Sequence, residues 1–130
     1  MKKKIAEPEN DFVTLIQHGQ LILNRTKDKI KEYFSENRIT IFPDFDINAL
    51  MEIRFNHSTL TCQFDSNNIC YAGFLFFDDS ESLNVYKEIC NDQCEIIIPN
   101  VWKYDNYYIE LKKSYDSDFY FSFCLECDSF

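Results

Sequence analysis

The chain has 130 residues, 45% of them hydrophobic and 17% aromatic, and carries a net charge of −9 at pH 7. That length suits one domain with its own core, and so much apolar side chain excludes a disordered chain, which places the charge on a folded surface. The two glycines, Gly19 and Gly73, are too few to build a phosphate-cradling P-loop or a dinucleotide-binding glycine fingerprint.

Met1 to Lys4 is basic, but the IAEPENDF that follows sets Pro8 and the acids Glu7, Glu9 and Asp11 where an export signal needs an apolar run. The longest apolar stretches, such as Phe74 to Phe77 and Ile96 to Ile98, fall far short of the roughly 20 residues that span a bilayer. The expectation is a cytoplasmic single domain over residues 1–130, with 1–10 a frayed start, no membrane contact and reduced thiols at all six cysteines.

Asn10 and Asp11 suit the start of a helix, and Phe12, Leu15, Ile16, Ile22 and Leu23 recur near a 3.6-residue period. Gly19 weakens such a helix, and the pattern is expected to break near NRTKDK, where Thr26 caps a second segment with Ile30, Tyr33 and Phe34 on one face. One bent helix or two helices are predicted between Asp11 and Glu36. From Arg38 onward, short β-branched and aromatic runs bounded by Pro, Asp, Asn and Ser read as strands. The candidates are Ile39 to Phe42, Leu50 to Asn56, Thr59 to Phe64, Ile69 to Phe77, Glu95 to Ile98, Tyr107 to Ser114 and Phe119 to Cys127. DSNN (Asp65 to Asn68) is expected to form a hairpin turn, and DFYFSFCLEC has the clearest inward–outward alternation. SESLNVYKEIC suits a helix started by Ser80 or Ser82, which would make Asp78, Asp79 and Glu81 favourable at its positive end. The fold class is α+β, with an N-terminal helix or helix pair packed on a mainly antiparallel sheet of about five to seven strands.

Catalytic chemistry has little to draw on. The two histidines read as a packed or solvated helix residue (His18) and a hairpin-turn residue (His57). Cys90, Cys94, Cys124 and Cys127 have spacings near those of a tetrahedral zinc site, but an alternating strand would point Cys124 and Cys127 to opposite faces, so they are weak metal candidates beside the reading of buried thiols. Cys62 and Cys70 flank the DSNN turn and would pack across it. No catalytic residue, cofactor or metal is expected.

Charge is the most informative feature: residues 1–38 sum to +2 and residues 39–130 to −11. FPDFD, FFDDSES, NDQCE, KYDNYY and SYDSDFY each set carboxylates beside aromatics, and Tyr104, Tyr107, Tyr108, Tyr115 and Tyr120 add the amphipathic rings of interface anchors. In the plain reading the acids keep a monomer dissolved and the rings face the core. In the sharper one Asp78, Asp79, Glu81, Trp102, Asp105, Tyr107, Tyr108, Asp116 and Asp118 converge into a docking face for a basic protein. Direct nucleic-acid binding is disfavoured because neutralising phosphates draws on lysine and arginine, and these are outnumbered beyond residue 38.

In size, acidity, aromatic content and lack of a catalytic motif, the whole chain resembles the small acidic immunity proteins that bacteria encode beside contact-dependent and other polymorphic toxins. The resemblance implies a monomer or weak homodimer that neutralises one cognate toxin, frequently a nuclease, by covering its active site or an adjoining surface. It carries over no functional residue position by position. The alternatives are a nucleic-acid-mimicking or other acidic inhibitor, a small enzyme or zinc-binding domain, and an effector chaperone with an apolar groove.

Overall fold

The computed structural model describes residues 18–42, 49–116 and 118–126. The expected helix start at Asn10 and Asp11, its apolar residues Phe12, Leu15 and Ile16, the frayed 1–10 segment and Cys127 lie outside them. Residues 18–22 are helical (α1), followed by α2 (Lys27–Tyr33) and, later in the chain, α3 (Ser80–Gln93). The strands are β1 (Arg38–Ile41), β2 (Ala49–Arg54), β3 (Ser58–Phe64), β4 (Cys70–Phe77), β5 (Glu95–Ile98), β6 (Val101–Tyr104), β7 (Tyr107–Lys113) and β8 (Phe119–Cys124).

The helix pair breaks where the residues allow it. Asn24 takes a left-handed conformation at φ 64°, which asparagine tolerates better than most, and the Thr26 hydroxyl accepts a hydrogen bond from the Lys29 amide to start α2. The backbone across the break is tied to the sheet, with the Asn24 amide donating to the Cys70 carbonyl at 2.8 Å and the Cys70 amide to Arg25 at 2.9 Å. The break is therefore a docking point on β4 rather than a loose joint.

All eight strands pair antiparallel in one sheet of order β1-β2-β3-β4-β8-β7-β6-β5. Two four-stranded meanders are joined by α3, and β8 returns to pair with β4 at the middle. The strand count exceeds the expected range because Val101–Tyr104 is a strand of its own, only four residues long and paired on both sides. β8 ends at Cys124, short of the expected Cys127. The DSNN turn forms as expected: the Asp65 carboxylate accepts from the amides of Asn67 and Ile69 at 2.8 and 3.0 Å, and Asn68 adopts φ 62°.

Register aligns one apolar row across the sheet. Ile53, Leu60, Leu75, Phe121 and Leu111 are successive cross-strand partners, and Met51, Cys62, Gly73, Phe123, Ile109 and Trp102 form the next row. The helices cover this face: Tyr86 of α3 meets Phe121 edge-on at 4.6 Å between ring centres, and Ile22 of α1 sits over Gly73. Helices on one face of an antiparallel sheet make the α+β architecture. Among the described residues no helix is long and apolar enough to cross a membrane.

Gly19 is present for space as much as for flexibility. A methyl group there would lie 2.3 Å from the ring of Tyr107, itself fully buried, so α1 can sit this close only without a side chain. Gly19→Ala is expected to destabilise by about 1–2 kcal/mol in chemical denaturation, overpacking outweighing the gain in helix propensity. In a Tyr107→Leu background the same change should cost less. Equal costs in both backgrounds would show that the ring does not exclude the methyl.

Candidate functional site

Because β4 and β8 run antiparallel with Phe76 opposite Tyr120, the end of β4 lies beside the start of β8. The β2–β3 turn, the β4–α3 junction and the β7–β8 turn therefore lie at one end of the sheet, with the α2–β1 connection and the β5–β6 turn at the outer strands of the same end. Between the β4–α3 junction and the β7–β8 turn lies a cleft of about 380 Å³ lined by Phe76, Phe77, Asp78, Asp79, Ser80, Leu83, Asp118 and Phe119. Its base is apolar, since Phe77 and Leu83 also pack against the core. Its rim holds the exposed ring of Phe119, at 48% accessibility, and three acidic residues, whereas Phe76, in register with Tyr120, turns its ring to the other face of the sheet.

Each carboxylate has a distinct local setting. Asp78 ends β4 and forms a two-pronged ion pair with the Arg54 guanidinium, which hydrogen-bonds both its carboxylate oxygens. The Arg54 hydrogen bond is the main reason the Asp78 carboxyl is held below its usual range. Asp79 is the N-cap of α3, its carboxylate accepting from the Ser82 amide at 2.7 Å, and hydrogen bonding from Ser82 likewise lowers its pKa. The expectation that Ser80 or Ser82 starts this helix is thus corrected by one position or more: aspartate reaches the free amides, and the serines lie inside the helix. Both adjacent acids stay ionised near neutrality, so they are not a split acid–base pair. Asp118 is exposed and, among the described residues, has no cation partner. Glu81 in the first turn of α3 and Asp116 in the β7–β8 turn are also exposed at this end.

The fold does not bring the other expected site residues here. Trp102 is 1% exposed, its indole N–H donating to Asn91 Oδ1 at 2.9 Å, so it is a core residue and not a surface anchor. Tyr107 is corrected in the same way: it lies under Gly19, fully buried, with burial pushing its phenol up. Both were misplaced because their strands alternate, and the core face claims Trp102, Tyr107 and Ile109 together. Tyr108, on the other face, is half-buried with the Lys103 ammonium 5.6 Å from its ring centre. Asp105 occupies the β6–β7 turn at the opposite end of the sheet, in a second cleft of about 450 Å³ shared with Gln20, Arg25 and Asn106. Of the remaining tyrosines, Tyr115 is fully exposed in the β7–β8 turn and Tyr120 stacks on Phe76 at 5.0 Å.

The cysteines form no metal site among the described residues. Cys90 is buried beneath α3 on the core face, while Cys124 alternates with the core residue Phe123 and so lies on the other side of the sheet. A hydrogen bond with Cys94, together with burial, keeps the Cys90 thiol protonated. Cys62 and Cys70, both buried on the core face, interact across the DSNN hairpin.

The rim ring of Phe119 is what the sequence pattern missed. Phe119 alternates in phase with Phe121 and Phe123 and so reads as core, yet it opens the strand at the edge of the helix cover. The Arg54 partnership was equally hidden, because the two residues lie 24 positions apart and meet only through the β2–β3–β4 register. Comparison with family models, curated proteins and solved structures finds no match to this chain.

Proposed function

We propose that the chain is a binding protein that neutralises a cognate toxin, a basic nuclease domain, by docking the acid-rimmed end of its sheet on the toxin. The observation that supports this reading is the gathering of Asp78, Asp79, Glu81, Asp116 and Asp118, from two connections distant in sequence, at one end of the sheet beside the exposed Phe119 ring. Opposite fields accelerate encounter, and apolar rings that lose water on contact slow escape. Two of the carboxylates already serve the fold, so the unspent field comes from Glu81, Asp116 and Asp118. A nucleic-acid mimic would space its carboxylates along an extended face; here Asp78, Asp79 and Asp118 line one concave cleft, which favours a protein partner.

The partner is sought first in the product of the adjoining open reading frame. With it in hand, the combined Glu81→Gln, Asp116→Asn and Asp118→Asn variant is expected to slow association about tenfold at low salt and to flatten the salt dependence, with little change in dissociation. An association rate unchanged at low ionic strength would remove this end of the sheet from the interface.

A further inference from the structure

Resting on that docking reading, we infer that the cleft between the β4–α3 junction and the β7–β8 turn seats an arginine side chain of the partner. Its size, about 380 Å³, lies at the small end of ligand pockets and suits one or two side chains rather than an extended segment. Its base is hydrocarbon, from Phe77 and Leu83, and matches the methylenes of a long cationic side chain. Its rim offers both groups that a guanidinium engages: an exposed ring in Phe119 and an open carboxylate in Asp118.

The chain's own cations display this chemistry at the same end of the sheet. The Lys113 ammonium sits 5.7 Å from the centre of the Phe119 ring, across the β7–β8 pair. Arg54 places its guanidinium fork on both oxygens of Asp78. A ring that holds an ammonium and a carboxylate that holds a fork are each half of an arginine seat, and Asp118 repeats the carboxylate where, among the described residues, no cation takes it. Arginine is preferred to lysine because only a flat guanidinium stacks on the ring and donates in parallel to a carboxylate.

The test uses the full chain, isotopically labelled, titrated with acetyl-Gly-Arg-Gly-amide and with its lysine and citrulline counterparts, the last isosteric with arginine but uncharged. The arginine peptide is expected to move the signals of Leu83, Asp118 and Phe119 and to bind about tenfold more tightly than the citrulline peptide. It should also bind several-fold more tightly than the lysine peptide, and Asp118→Asn and Phe119→Leu, both at exposed positions, should each weaken it severalfold. Equal binding of citrulline would reduce the cleft to a hydrophobic groove, equal binding of lysine would reduce it to an unspecific field, and unmoved signals would remove the seat; each overturns the inference. Binding of polylysine to the wild type and to the Glu81→Gln, Asp116→Asn pair separates this from the broader reading. If arginine peptides fail while that pair still weakens polylysine binding, the seat falls and the acidic docking face stands; if polylysine is indifferent too, both fall.

Discussion

Phe121→Ala is expected to lower stability by about 3–5 kcal/mol, the range for truncating a fully buried phenylalanine. Phe121 has no exposed surface and is the ring on which three others converge: Tyr86 of α3 at 4.6 Å, Trp102 of β6 at 6.0 Å and Phe77 of β4 at 6.2 Å. Its removal opens a cavity under α3 that Leu75 and Leu111, on the flanking strands, are too short to fill. Folded domains are stable by only about 5–15 kcal/mol, so the loss should appear as a large drop in the denaturant midpoint with an unchanged slope. The control lies two residues earlier on the same strand and face, where Phe119→Ala, at a ring 48% exposed, should cost under about 1 kcal/mol. A small effect at Phe121 would mean that α3 is not seated on β8; equal effects at the two positions would mean that the rim ring is buried.

The same pair of residues marks how far the sequence can be read. Alternation alone assigns Phe119, Phe121 and Phe123 to one face, correctly, but it cannot say where along the strand the helices stop covering that face. The features legible in the chain are those set by neighbours a few positions away: the Asn24 and Thr26 break between α1 and α2, the Asp65 turn, the periodicity of α3 and the alternation of β8. Strand β6 was missed because four residues, VWKY, hold too little alternation to stand out, and its identity comes from pairing with β5 and β7. Trp102 looked like an anchor amid tyrosines and acids for a related reason: the group that satisfies its indole, Asn91, lies on a helix packed from above. At the cleft, the charge cluster was visible, and so was the plain role of its acids at a helix start. The division of labour, with Asp78 held by Arg54, Asp79 capping and Asp118 open, required the sheet register.

Acid sensitivity is the second large effect, and it centres on His18. The ring is 5% exposed in α1, stacked on Phe55 at 4.9 Å and met edge-on by Phe34 at 4.8 Å, and among the described residues its Nδ1 has no hydrogen-bond partner. Burial lowers its pKa from 6.5 to about 4. In the unfolded chain the imidazole takes up a proton as the pH falls through 6.5, whereas the folded chain resists until about 4, so proton uptake favours unfolding across that window. The linked loss is about 2 kcal/mol by pH 5 and approaches about 3 kcal/mol near pH 4. Denaturation series at pH 7, 6 and 5 span the window in which the histidine term grows, and a variant without the imidazole isolates it. His18→Phe keeps an aromatic ring between Phe34 and Phe55 and removes the titration, so its stability should be nearly flat over those three conditions while the wild type declines. The difference between the two proteins is the quantity that tests the site: parallel decline would move the acid-sensitive group elsewhere, and a wild type indifferent to pH would mean that water or a hydrogen-bond acceptor reaches the imidazole.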